Sequence, residues 1–182
     1  MVHPDKLFGR LGNRMFQMAF LYAYARDTGT DIYFQDPYYF QEYEKEIKAL
    51  FGQGIEPVDQ VAIHVRRGDY VKNPFYVDLT DTDYYEKAMA LFPMEKFIVF
   101  SDDIEWCKEQ PIFKDCDFSE GNDEITDLNL MAGCKHQIIA NSSFSFWSAY
   151  LNPNPNKKVV RPSRWYTDNV ERTVCPDDWI KI

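Results

Sequence analysis

Three short apolar runs constrain this chain more than any other feature: "VAIHV" at 61–65, "KFIVFS" at 96–101 and "HQIIA" at 136–140. The second and third lack the apolar–polar alternation of a half-exposed strand and read as strands buried on both faces, the pattern of a parallel sheet. Helical patterns separate the runs: "TDYYEKAMALF" (82–92) capped by Asp81 or Thr82, a short helix from Asp102-Asp103 through Cys107, "NDEITDLNLMAGC" (122–134) and "SSFSFWSAYL" (142–151). "DCDFS" (115–119) reads as a weak strand and "KKVVRP" (157–162) as the last one. Upstream, Met15, Met18, Ala19 and Tyr22 fall at helical spacing within 13–27, "DIYFQ" (31–35) reads as a strand, and residues 38–54 read as a helix closed by Gly52. Strands alternating with helices predict an α/β protein with a mostly parallel sheet.

With 182 residues the chain suits one domain or two small lobes. The 14 Phe, 12 Tyr and 4 Trp supply enough aromatic surface for a compact core. A net charge of −9 argues against nucleic-acid or anionic-membrane binding, which need a positive field. A small anion would need a local arginine cluster. Cys107, Cys116, Cys134 and Cys175 form no CxxC pair and no zinc spacing, so they read as reduced structural thiols, and no metal site is expected. No apolar run reaches membrane-spanning length, and "MVHPDKLFGRLG" has no signal-peptide core, so a cytoplasmic location is expected.

In open parallel sheets, ligands bind beyond the carboxyl ends of the strands. Three predicted strand ends carry residues for such a crevice. In "VAIHVRRGDY", Ala62, His64 and Arg66 share one face, Val61, Ile63 and Val65 the other, and Gly68 permits the turn that follows. Arginine's planar fork suits phosphate oxygens; the structural alternative pairs Arg66 or Arg67 with Asp69. At "FSDD", Asp102 and Asp103 could meet a nucleobase N–H or a ribose hydroxyl, or cap the next helix. At "IIANSSFSFW", Asn141, Ser142 and Ser143 open a helix whose first N–H groups suit an anion, with plain capping as the alternative. "GRLGN" adds a glycine turn ahead of a helix, without the spacing of a dinucleotide or P-loop motif. Arg67-Gly68-Asp69 is also the adhesion tripeptide, and that use would require an exposed loop.

Together "GRLGNRMFQMAF", "IHVRRGDYV", "FIVFSDD" with Trp106, "DLNLMAGCKHQIIANSSFSFWSAYL" and "VVRPSRWY" resemble the α-1,2-fucosyltransferases of glycosyltransferase family 11, in the same order and over most of the chain. The resemblance implies a GT-B-like fold of two Rossmann-type lobes. It divides the chain into a reduced acceptor-side lobe (1–58) and a GDP-sugar-binding lobe (59–182). It implies metal-independent, inverting transfer of fucose from GDP-fucose to a glycan hydroxyl, with no cofactor. Arg66 would hold the β-phosphate and Arg67 would support the turn or the pyrophosphate. His64, Asp102 and Asp103 would approach the guanine, and Ser142, Ser143 and Ser145 would meet phosphate oxygens beside Asn141. Gly12 and Asn13 would line the cleft. Asp69 stands near the place of a catalytic base, although two neighbouring arginines make it their natural partner.

Three departures accompany the resemblance. Arg10 and Arg14 stand where the family usually has Gly and Gln, "VHPDKLF" makes a poor first strand, and a block of the first lobe is missing around residues 28–31. A GDP-sugar-binding module without efficient transfer, or a transferase using another GDP-sugar, are the readings that stay open.

Overall fold

A computed structural model describes residue 7 and residues 9–26, 43–168 and 175–182. Helix α1 (Leu11–Arg26) and helix α2 (Glu44–Phe51) come first. Strand β1 (Val58–Val65) follows, then α3 (Tyr84–Met89), β2 (Phe97–Ser101), α4 (Ile104–Lys108), β3 (Asp117–Phe118), α5 (Glu124–Gly133), β4 (Cys134–Ile138), α6 (Ser143–Leu151), β5 (Val159–Arg161) and β6 (Ile180–Lys181). The predicted strand at 31–35, the region of the missing block and the weak first strand fall outside the described residues, apart from Leu7.

Among the described residues six strands run parallel in the order β3-β2-β1-β4-β5-β6. Val61 lies opposite Phe97 on one side and His136 on the other, so β1 is central and its side chains are buried above and below. This is the doubly wound order, with the chain reversing its direction of travel between β1 and β4. A crevice opens at that reversal, beyond the carboxyl ends of both strands.

The alternation of β1 sorts its residues as expected. Val61, Ile63 and Val65 pack with Tyr84, Tyr85, Ala88 and Cys107, under α3 and α4. On the other face Ala62 and Phe100 meet Met131 of α5. Behind that layer α6 is buried from Ser145 to Leu151, and Phe146 and Trp147 join α6 to Met15 and Ala19 of α1 and Ile47 of α2. The described part of residues 1–58 thus shares its core with the sheet's helices.

Some element ends differ from the sequence expectation. Asp83, not Asp81 or Thr82, precedes α3, but the Thr82 hydroxyl still accepts from the Tyr84 N–H at 3.3 Å. Asp81 belongs to the preceding single turn, whose cap is Asp78. Strand β4 begins directly after α5, two residues earlier than predicted, because its first residue, Cys134, is buried at the end of the sheet. Strand β6 carries no apolar run and exists by pairing with β5. The four cysteines are unbridged, and burial raises the thiols of Cys107 and Cys116 to about 11 and those of Cys134 and Cys175 to about 12.

Candidate functional site

At the reversal between β1 and β4 lies a cleft of about 570 Å³. Gly9, Gly12 and Asn13 edge it from the start of α1, His64 and Arg66 from the end of β1, Asp102 from the end of β2, and Ser142 and Ser143 from the start of α6. Three separate strand ends and the glycine turn therefore meet in one place.

Arg66 follows the last residue of β1, and its side chain is 9% exposed. One guanidinium nitrogen is paired with Asp102 and another with Asp69, while the Tyr70 ring lies 5.0 Å away. Asp102 is itself anchored: its second oxygen accepts from the Arg67 backbone N–H at 2.9 Å, and Arg10 stands 3.6 Å from the first. Gly68, at φ +27°, passes directly over Asp102, and any Cβ there would collide with the carboxylate. A side chain at 68 would thus push the turn off the carboxylate that organises it.

Burial, opposed by Asp102 and reinforced by Arg66, lowers the pKa of His64 from 6.5 to about 4. The imidazole is therefore neutral at physiological pH, and it packs against Phe144 with ring centroids 5.5 Å apart. Its Nδ1 is buried without a hydrogen-bond partner.

The α6 end is closed by its own side chains. Ser142 Oγ accepts from the Phe144 N–H at 3.3 Å, and Ser143 Oγ donates to Asn13 Oδ1 at 2.8 Å. The opening N–H groups of a helix lack intrahelical partners and carry partial positive charge. Gly12 lets α1 touch this end: a Cβ there would lie 2.6 Å from the Ser143 carbonyl carbon and 2.7 Å from the Phe144 nitrogen. Arg14 braces the same turn by donating to the Gly9 carbonyl at 2.8 Å.

Four of the predicted residues face elsewhere. Arg67 pairs with Asp103 at 3.1 Å, donates to Thr80 Oγ1 at 3.1 Å and lies 3.6 Å over the Trp106 ring. Arg67 and Asp103 thus brace the turn behind the cleft, and the adhesion tripeptide does not present its arginine. Asn141 donates to the carbonyls of Val77 and Trp165, both at 2.9 Å, tying two loops together. Ser145 is fully buried and donates to the carbonyls of Ala140 and Ser142.

Sequence reasoning missed part of the wall. Tyr70 and Tyr76 stack at 3.9 Å, Tyr166 follows at 5.5 Å, and all three line the cleft beside Trp165. Burial, with Tyr76 beside it, pushes the Tyr70 hydroxyl well above its usual pKa. Glu124 and Asp127 complete the wall from the first turn of α5. Tyr70, Asp127, Trp165 and Tyr166 lie inside quoted motifs and Glu124 inside a predicted helix, but none carries a predicted role; Tyr76 reaches the cleft through a loop that the strand–helix pattern leaves unassigned. Among the described residues no three His, Cys, Asp or Glu side chains group as metal ligands, and no helix is long and apolar enough to cross a membrane.

Residues 11–182 match the family model described as Glycosyl transferase family 11. The chain belongs to that family. Among its relatives, an O-antigen biosynthesis glycosyltransferase, WbnK, of Escherichia coli is 36% identical over 70% of this chain and 46% of its own length. An alpha-1,2-colitosyltransferase of Escherichia coli is 33% identical over 82% of this chain and 61% of its own. The human galactoside alpha-(1,2)-fucosyltransferase 1 is 33% identical over 59% of this chain and 34% of its own. This family member thus spans about half to three-fifths of the bacterial relatives. No solved structure matches it.

Proposed function

We propose that this chain is an inverting, metal-independent glycosyltransferase that moves fucose from GDP-fucose to a hydroxyl of a galactoside-type glycan, on a GT-B-like scaffold. The observation that carries the reading is the convergence of Arg66, the α6 N-terminus and the Gly12–Asn13 edge on one cleft at the sheet's reversal point, in a chain of family 11.

Transfer needs the departing pyrophosphate stabilised. Arg66 is a fixed positive group that faces the cleft, and Ser142 and Ser143 line it at the start of α6; preorganised groups of this kind need no reorganisation as charge develops. Arg10 adds an exposed cation at the rim. Neutral His64 can meet the donor by hydrogen bonding without bringing a competing charge. The carboxylates of Glu124 and Asp127 and the tyrosine wall suit ribose hydroxyls and a base edge. A reducing compartment, the cytoplasm, is part of the reading, supported by four unbridged cysteines. A second donor, colitose on the same nucleotide, is favoured by the 82% coverage of this chain by the colitosyltransferase.

The test is a thermal-shift titration with GDP, GDP-fucose, GDP-mannose, UDP and ADP, with and without EDTA, on wild type and Arg66→Ala. Ligand at ~100 times its Kd stabilises a protein by about 2.7 kcal/mol, several degrees at this size. The expected result is a guanine-selective shift that survives EDTA and vanishes in Arg66→Ala, followed by product formation with a galactoside. Binding without product would leave a GDP-sugar-binding module, and no shift with any GDP compound would overturn the donor site.

A further inference from the structure

Across the sheet, the cleft lining runs from Asp102 after β2, through Arg66 after β1 and Ser142 after β4, to Trp165 and Tyr166 beyond β5. Glu124 and Asp127 open the helix that follows β3 and belong to the first side. Tyr76 comes from the loop after β1 but is drawn to the second side by its bridge to Tyr166. Carboxylates and tyrosines both suit a nucleoside, yet a nucleotide held by its pyrophosphate between Arg66 and Ser142 reaches only one side with its base. The amino group of guanine is a donor, which a carboxylate accepts. A base set beside Glu124 and Asp127 leaves the aromatic side to the sugar end of the donor and to whatever meets it.

The aromatic side continues past the cleft. Phe75 precedes Tyr76 in the chain and is 71% exposed. Single exposed apolar side chains are ordinary, but the backbone that carries this one is fastened on both sides. The Asn73 side chain donates to the Asp69 carbonyl at 3.2 Å and accepts from the Phe75 N–H at 3.0 Å. Thr167 donates twice, from its hydroxyl to the Pro74 carbonyl at 2.6 Å and from its N–H to the Phe75 carbonyl at 3.1 Å. One residue after Tyr76, the Val77 N–H donates to the Trp165 carbonyl at 3.2 Å. A fixed loop thus holds an aromatic ring toward solvent at the outer end of the Tyr70–Tyr76–Tyr166 row.

Resting on the proposed transferase reading, we propose that Phe75, Tyr76 and Tyr166 form a subsite for the second and further sugars of the acceptor, so that this chain acts on the end of an oligosaccharide rather than on a lone galactoside. The negative face of an aromatic ring meets the C–H groups of a pyranose, and phenol hydroxyls exchange hydrogen bonds with its hydroxyls. The two tyrosines supply both kinds of contact, and Phe75 adds an apolar surface where the glycan leaves the protein. The reacting sugar lies nearest Arg66 and Tyr70, and its neighbours run outward over Tyr76 and Tyr166. Because the loop is already fastened, little ordering is needed when a glycan binds. A neutral glycan also suits a chain of net charge −9, whose field opposes an anionic one.

Calorimetric titration of the GDP-saturated protein with methyl β-galactoside and with a linear tetrasaccharide ending in β-galactose tests this, on wild type, Phe75→Ala and Phe75→Trp. Wild type should bind the tetrasaccharide at least about ten-fold more tightly, the size of two aromatic contacts of modest strength. Phe75→Ala should cut that preference about five-fold, one such contact, while GDP binds as it does to wild type. Phe75→Trp keeps a ring at this position and should keep the preference. Equal affinity of wild type for the two sugars overturns the subsite, and so does a Phe75→Ala protein with the wild-type preference. A preference lost equally in Phe75→Trp overturns the stacking role. Weaker GDP binding in Phe75→Ala would move the ring to the donor and overturn the assignment. Wild type that binds GDP but neither sugar overturns this inference and leaves the donor site standing. Wild type that does not bind GDP overturns the donor-site reading instead, and the same two sugars titrated into the protein alone then decide the subsite.

Discussion

Arg66 is a half-buried cation whose direction is set by Asp102 beneath, Asp69 beside, and the Tyr70 ring 5.0 Å away. A lysine could satisfy one carboxylate but not present a planar fork to two oxygen pairs. Arg66→Lys should fold, lose the thermal response to GDP, and lose 10²–10³ in turnover, roughly 3–4 kcal/mol of transition-state stabilisation. Retention of most turnover would remove Arg66 from the chemistry. His64 makes a different prediction, about stability. Its native pKa lies near 4 while the unfolded chain titrates near 6.5, so the unfolded state binds the extra proton as pH falls. Stability is therefore fully present above about 6.5, erodes as pH drops toward 4, and levels off below. The loss is roughly 3 kcal/mol at most. Urea unfolding at pH 7 and pH 5 should show a smaller acid penalty in His64→Gln than in wild type. At this scale the sequence was informative about direction: β alternation put His64 and Arg66 on one face, and both reach the cleft. It was less informative about Ser145, because three residues into α6 the helical rotation turns a side chain from the cleft to the core.

Among the elements, α6 and α1 depend directly on each other. The apolar sequence "FSFWSAYL" buries α6 almost all round, and α1 can approach it only because residue 12 has no side chain. Gly12→Ala would put a methyl against the backbone of Ser143 and Phe144, where neither neighbour can swing aside. We expect a loss of about 1–3 kcal/mol in stability, as for other overpacked contacts, and a weaker GDP response, since the Asn13–Ser143 hydrogen bond would be pulled apart. Equal urea midpoints for Gly12→Ala and wild type would contradict this. The helices and strands were legible in the sequence to within a few residues wherever a run was apolar and continuous. The wall of Tyr70, Tyr76 and Tyr166 was not, because those side chains stack through contacts between distant loops, with Tyr76 and Tyr166 joined by an isolated antiparallel bridge.

For the whole molecule, local pattern and global arrangement divide along a physical line. Alternation, apolar runs and cap residues act over a few residues, so the sequence by itself determined an α/β chain with parallel buried strands. It also placed polar residues at three strand ends, among them an adjacent arginine pair suited to an anion in an acidic protein. The strand order is a different matter. Whether β4 pairs with β1 or with β3 depends on how faces bury across the sheet, and no window of the sequence carries that information. Only the tertiary structure decided that β1 is central, that the chain reverses between β1 and β4, and that the three strand ends share one cleft. Packing likewise decided which of two adjacent arginines faces it. Arg66 and Arg67 are indistinguishable as residues, yet the Trp106 ring and Asp103 claim Arg67, leaving Arg66 turned toward the open side.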